Sequence, residues 1–363
     1  MIQYLQHPEE YFSHSMNNNI KLEETFTWSN LKRKNINISK ELFSERNGKQ
    51  VFLISSEAAA LDIILSYYRE CGYLKDKNAE IWVPERIGFR FYNTLQKKCF
   101  PSIVQSDVTK GIIVYHHYGY PQNMDKIISK ARDNNWFIIE DCAHALMSYY
   151  NGKRVGFLGD VGIFDFSTFF PSLMGGVIVT DNKEMGEYIK DKQLENGNSW
   201  GKNFFFIIKL FYEKSRNQNV KLFWRKWGEM SYNIYDSNYC LNPIVELIVK
   251  QKLFEKALGI RSENKDFFLN ELSHYNIFNK INDHESVTPY VIPLIAEENQ
   301  QKNILRQLSI IGVETSINHF DVNRDMINPN FVKCVCIPVH GGINQEYREK
   351  IVEAVIKGIN CKS

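Results

Sequence analysis

No run of roughly twenty apolar residues occurs in this chain, so no bilayer-spanning helix is predicted. Charge of one sign is also missing in bulk: 44 lysines and arginines against 42 aspartates and glutamates leave a net +2, too balanced to suggest nucleic acid as a partner. Cysteine is sparse, with seven residues (Cys71, Cys99, Cys142, Cys240, Cys334, Cys336 and Cys361) scattered at no metal-ligand spacing. Their odd number, with no signal peptide at the first residues, predicts a reducing cytoplasmic setting and no metal site. Internal repeats and low-complexity tracts are absent. At 363 residues the chain is long enough for one large domain or two, with a sizeable core.

What is present is organised around the stretch from Trp136 to Asp181. Trp136 to Glu140 is a short apolar run ending in the acids Glu140 and Asp141. It reads as a buried parallel strand that delivers a carboxylate at its C-terminal edge, where open α/β sheets keep their chemistry. Ala143-His144, Gly159-Asp160, a strand, and Gly175-Gly176 opening the strand Val177 to Thr180 follow in order. Upstream, Gln50 to Tyr68 is a strand that turns at Ser55-Ser56 into a helix. Ile81 to Pro84 is a strand before a helix from Phe89 to Lys98, and Gly111 to His116 is a strand before the helix Met124 to Asn134. This alternation predicts a mostly parallel sheet with helices on both faces and right-handed crossovers. Downstream, Leu241 to Leu272 is a long helical pattern. Tyr290 to Ala296 and Cys334 to Val339 read as strands, Asn299 to Gly312 and Gln345 to Ile359 as helices. His116 and His117, adjacent on a strand, point to opposite faces, which argues against a shared metal.

These motifs resemble the DegT/DnrJ family of sugar aminotransferases, which depend on pyridoxal phosphate (PLP). Glu140-Asp141-Cys142-Ala143 matches the family's E-D-x-A, and Gly152-Lys153, Gly156 and Gly159-Asp160 match its G-K-x-x-G-x-x-G-D hairpin. His116 to Pro121 is similar to V-H-x-x-G-x-P, Arg261 to Asn264 to R-R-x-N, and Ile337-Pro338-Val339-His340 to L-P-x-H. The resemblance covers roughly residues 45–360. It implies an α/β, type I PLP-transferase (aspartate aminotransferase-like) fold: an N-terminal arm (1–45), a large α/β domain (46–240) with a mostly parallel sheet flanked by helices, and a smaller C-terminal α+β domain (241–363). It also implies a nucleotide-sugar substrate, a place in surface-polysaccharide (O-antigen or capsule) synthesis, and a homodimer or a heteromer with an active paralogue. Asp141 would pair with the cofactor's pyridine nitrogen, and His144 and Phe89 or Phe91 would lie against its ring. Ser56 and Ala58, with Asp165, stand at the phosphate cup.

Two departures bear on activity. The family's lysine, which forms the imine to PLP, falls in a segment that here reads Phe164-Asp165-Phe166-Ser167-Thr168-Phe169-Phe170-Pro171, with Thr168 or Phe170 in its place. A hydroxyl forms no imine and is a poor shuttle for the substrate's α-proton. Lys153 and Lys183 are the nearest lysines, and both read as surface residues. In the cup, the family's S-G-T-x-A-L is Ser56-Glu57-Ala58-Ala59-Ala60-Leu61, and the partner serine is Asp165. Two carboxylates about 4–6 Å from a phosphate would each cost on the order of 1 kcal/mol. Glu57 either complements the helix dipole, with Asp165 capping or pairing nearby, or the two acids hold a cation or an amine.

Three functional readings follow. The first is a divergent homologue that has lost classical transamination, with PLP or its amine form PMP bound without a covalent imine, if at all. The second is a lysine-free PLP- or PMP-dependent aminotransferase or dehydratase acting on a keto-deoxy nucleotide sugar, in which Thr168 or Ser167 moves the proton. The third is a non-enzymatic partner or scaffold, its pocket filled by Phe169, Phe170 and Met174. Residues 196–235 form an aromatic-basic insertion, with Phe204, Ile208 and Phe211 on one helical face. It suits a subunit interface or, through 202–227, a peripheral membrane contact.

Overall fold

A computed structural model describes residues 3–5, 42–43, 48–169, 175–196, 239–241, 253–275, 277, 286–313, 315–341 and 343–361. The expected arm 1–45 lies almost wholly outside the described residues. So do Phe170, Met174 and all of the aromatic-basic insertion beyond its first residue.

Seven strands form the main sheet: β1 (Gln50–Ile54), β2 (Glu80–Trp82), β3 (Phe100–Ser102), β4 (Thr109–Tyr115), β5 (Phe137–Asp141), β6 (Val161–Asp165) and β7 (Gly176–Thr180). Their spatial order is β1-β7-β6-β5-β4-β2-β3. Within it β7 runs antiparallel to β6 and β1, and the remaining neighbours pair in parallel. The central strands are almost continuously apolar because both faces are covered. Ile113, Ile139 and Ile163 pack with Ile63 and Ile64 of helix α1 (Glu57–Glu70) and Leu95 of α2 (Phe89–Gln96). Ile112, Val114 and Ile138 turn the other way, onto Met124, Ile127 and Ala131 of α3 (Met124–Asn134). The two-residue period of the strands thus feeds two separate cores. Helix α4 (Lys183–Asn196) returns to the α1 side through Met185 and Ile189.

A second sheet is antiparallel: β8 (Val291–Leu294), β9 (Ile317–Asp321) and β10 (Phe331–Pro338), in the order β8-β10-β9. With α5 (Leu253–Glu271), α6 (Glu298–Ile310) and α7 (Gln345–Asn360) it encloses its own core, including Phe268, Ile304, Leu308, Ile337 and Ile351. Helices α6 and α7 cross at Gly358, where an added Cβ would stand 2.5 Å from the Ile304 Cα. No helix among the described residues is long and apolar enough to cross a membrane.

Candidate active site

The carboxyl edge of the parallel strands gathers the acids. Strand pairing sets Tyr115 beside Asp141, and Asp141 beside Ile163, two residues before Asp165. The next strand opens at Gly176, paired with Asp165, and a Cβ there would meet the Ser56 carbonyl at 2.5 Å. That close approach brings the first turn of α1 to the same edge. Ser56 caps the helix, its hydroxyl accepting the Ala59 amide at 3.1 Å, and Ala58 is buried behind it.

Glu57, Asp141 and Asp165 therefore face one another. Burial, then the charges of Asp141 and Asp165, push the Glu57 carboxyl well above its ordinary value, against the pull of Arg90. A hydrogen bond between Glu57 and Asp141 raises the Glu57 carboxyl further and pulls the Asp141 carboxyl down. Asp141 is itself pushed up to about 6, chiefly by burial, although the Ala143 amide donates to it at 3.1 Å. Asp165 accepts the Ser167 amide at 2.7 Å and the Ser167 hydroxyl at 2.6 Å. Glu57 stands in the first turn of α1, and the structure sets that side chain against two further acids.

Glu140, next to Asp141, has a different task. It is fully buried and accepts four hydrogen bonds: from His116 Nε2 at 3.1 Å and the amides of Gly156, Leu158 and Gly159 at 2.7, 2.7 and 2.5 Å. The Gln122 amide donates to His116 Nδ1, so the proton sits on Nε2 and points at Glu140. Burial alone would raise the Glu140 carboxyl, but the His116 hydrogen bond and the Gly159 and Gly156 amides hold it below its ordinary value. The glycine-rich segment after the hairpin is thus tied to β5. His116 Nε2, a Glu140 oxygen and Cys142 Sγ lie within 4.8 Å of one another. Both Glu140 oxygens are already saturated, and the Cys142 thiol is pushed up by burial and then by Glu140 and Asp141. This triplet is a hydrogen-bonded core element in which metal ligation would have to displace existing donors.

His144, expected against a cofactor ring, stacks on Tyr290 with centroids 4.1 Å apart and planes at 9°. The Tyr115 hydroxyl lies 2.5 Å from its Nδ1. Burial and then the Asp141 charge push the Tyr115 phenol up, so it remains protonated and is the donor. Phe89, also expected against the ring, is 53% exposed at the start of α2, and Phe91 is in the core. The reason lies in the helix, whose single buried stripe (Phe91, Thr94, Leu95) turns its first residue to solvent.

Thr168, one of the two residues expected in the lysine's place, is 7% exposed, and its carbonyl accepts Arg261 Nη2 at 3.0 Å. Arg261, fully buried on α5, also donates to the Tyr290 carbonyl at 3.0 Å and lies over the Phe169 ring at 4.9 Å. One guanidinium therefore joins the Thr168 segment to the residue that covers His144. Lys153 and Lys183 are exposed, as solvated surface residues would be. Sequence reasoning missed Tyr290, Tyr115 and Arg90, and, although Arg261 lies in the R-R-x-N-like segment, it missed the reach of that side chain to Thr168 and Tyr290.

As a donor set, Asp141 suits a pyridine nitrogen. The rest does not suit PLP held by an imine and a phosphate cup: acids stand at the first turn of α1 and at the end of β6, and Thr168 offers a hydroxyl and no amine.

The sequence profile of the DegT/DnrJ/EryC1/StrS aminotransferase family matches residues 103–326. A UDP-4-amino-4,6-dideoxy-N-acetyl-beta-L-altrosamine transaminase of Campylobacter jejuni is 37% identical over 236 residues, 62% of this chain and 56% of that one. The GDP-perosamine synthase of Escherichia coli O157:H7 is 42% identical over 79 residues, 21% of this chain and 22% of that one. The chain thus spans well under two thirds of these curated relatives. Helicobacter pylori PseC, an aminotransferase involved in the biosynthesis of pseudoaminic acid, superimposes with a TM-score of 0.65 at 15% identity, over 98% of this chain and 97% of that one. The fold is that of the type I aminotransferases, and the chain belongs to the DegT/DnrJ/EryC1/StrS aminotransferase family.

Proposed function

We propose that this protein acts on nucleotide-linked sugars destined for surface polysaccharide, and that it no longer carries out transamination through a PLP imine. The first part is supported by what its relatives are named for; the second by the convergence of Glu57, Asp141 and Asp165 at the sheet edge, beside a threonine in the lysine's position. The reading takes 46–240 as the large domain, 241–363 as the small one, and a dimer as the working form, with the aromatic-basic insertion at the subunit interface. Asp141 favours a second reading, a lysine-free dehydratase or aminotransferase on a keto-deoxy nucleotide sugar. Buried and hydrogen-bonded to the Ala143 amide, it is in large part ionised at neutral pH and suits a pyridinium partner.

The test is an absorbance spectrum of the purified chain after incubation with PLP and glutamate and exhaustive dialysis, with circular dichroism to show that the fold is intact. The expected outcome is a folded protein with no retained cofactor band. A band that survives dialysis, or that converts slowly to the amine form, overturns the loss of the cofactor and establishes the second reading.

A further inference from the structure

The turn that ends β4 meets the small sheet at a cluster of nitrogen bases. His117 is 2% exposed, and neither ring nitrogen has a hydrogen-bond partner among the described residues. Its ring lies among those of Tyr118, Tyr115, Phe320 and Phe331, at centroid distances of 4.0, 5.3, 5.7 and 6.3 Å. Arg86, from the short strand Arg86–Gly88, lies over the Phe331 ring at 5.1 Å, and its Nε is likewise buried without a hydrogen-bond partner. His319 stands on β9 in register with Lys333. Arg86 and His319 are half-buried and His117 is buried, both Arg86 and His117 lying at the Phe331 ring.

The charges here oppose one another. Burial, then Arg86, then His319 pull His117 down to about 3, and burial, Arg86 and Lys333 lower His319. Arg86 is lowered by burial, against the influence of Tyr118, the exposed Glu85 and Cys334. A guanidinium, two imidazoles and a lysine thus share a seam in which exposed Glu85 is the acid acting on Arg86. Buried donors without acceptors are costly, and such an arrangement is stabilised when an anion enters.

We propose that this seam binds a phosphate-type anion, with Arg86 and His319 meeting its charge and His117 donating a ring N–H from behind. A guanidinium fork and an imidazolium suit phosphate oxygens through charge-assisted hydrogen bonds. The seam lies beside Tyr118, whose carbonyl accepts the amide of Tyr290, the residue stacked on His144. The anion would therefore bind next to the candidate active site. The proposal rests on the proposed function for one point alone, that the anion is the diphosphate of a nucleotide-linked sugar.

The experiment is calorimetric titration of the full chain with inorganic pyrophosphate and, separately, with UDP, GDP and dTDP. Arg86→Gln and His319→Asn are titrated in parallel, and the His117 ring nitrogens are followed by NMR. Pyrophosphate is expected to bind the wild type with a shift of the His117 signals, and at least roughly tenfold more weakly to Arg86→Gln, the worth of one charge-assisted hydrogen bond. Binding should tighten as pH falls from 8 to 6, because the anion favours protonated His319. His319→Asn, at a half-buried position, keeps the test decisive should Arg86→Gln fail to fold. Absence of pyrophosphate binding, or equal binding by both folded variants, overturns the proposal. Nucleoside diphosphates bound equally by all three proteins would overturn this site while leaving the nucleotide-sugar reading standing. Pyrophosphate bound here with no gain from any nucleoside would uphold the site and remove the nucleotide.

Discussion

Glu140→Ala is expected to lower the stability of this protein by about 4 kcal/mol or more, enough to unfold many domains of this kind. The substitution strands the amides of Gly156, Leu158 and Gly159 and the His116 Nε2–H, all of which now donate to one carboxylate. Each buried donor left without an acceptor costs on the order of 1–3 kcal/mol. Glu140→Gln should be milder but still destabilising, because its amide nitrogen would point a donor at other donors. Urea denaturation followed by circular dichroism measures both; a midpoint for Glu140→Ala indistinguishable from the wild type would show that the hairpin segment is held by something else.

The second large effect is on pH dependence, and its sign is opposite to the common one for carboxylates. The folded-state value of Asp141, about 6, lies above its ordinary 3.8, and that of Glu57 is also raised above its ordinary 4.5. The folded state therefore binds these protons more tightly than the unfolded chain does. Their contribution to stability is fully present below the unfolded values and is lost as pH rises through the folded ones. For Asp141 alone the shift of about two pKa units corresponds to roughly 3 kcal/mol lost between pH 4 and pH 7. Glu140, whose carboxyl is lowered, acts in the other window: its contribution is present above the ordinary value and is lost on acidification below it. Glu57→Gln should remove the proton uptake that folding demands of Glu57 above its ordinary value, while keeping a donor toward Asp141. It is expected to raise the melting temperature at pH 8 and flatten the decline between pH 5 and 7. Melting curves across that range decide the matter, since an unchanged slope in Glu57→Gln would mean that the acids do not interact.

Legibility differed by element, for physical reasons. The helix Met124–Asn134 was readable to the residue because Asn123 caps one end and Asn135, at φ 55°, closes the other. Strand β9 was not, since Ile317-Asn318-His319-Phe320-Asp321 has weak alternation and owes its place to pairing with β10. The exposure of Phe89 was not readable, because sequence position places the helix but not which face its first residue presents.

The residues by themselves determined the family and the alternating α/β order, and they place Ser56, Glu57, Asp141, Asp165 and Thr168 in order along the chain. All of these are matters of local period or of residue type at a fixed spacing. Tertiary structure alone decided that Glu57 meets Asp141 and Asp165, that Tyr290 stacks on His144, that Arg261 clamps Thr168, and that Arg86, His117 and His319 influence one another. Those pairs lie far apart in the chain. Which side chains meet across such separations is set by strand register and by the docking of the small sheet on the large one, and a one-residue slip in either would change the partners.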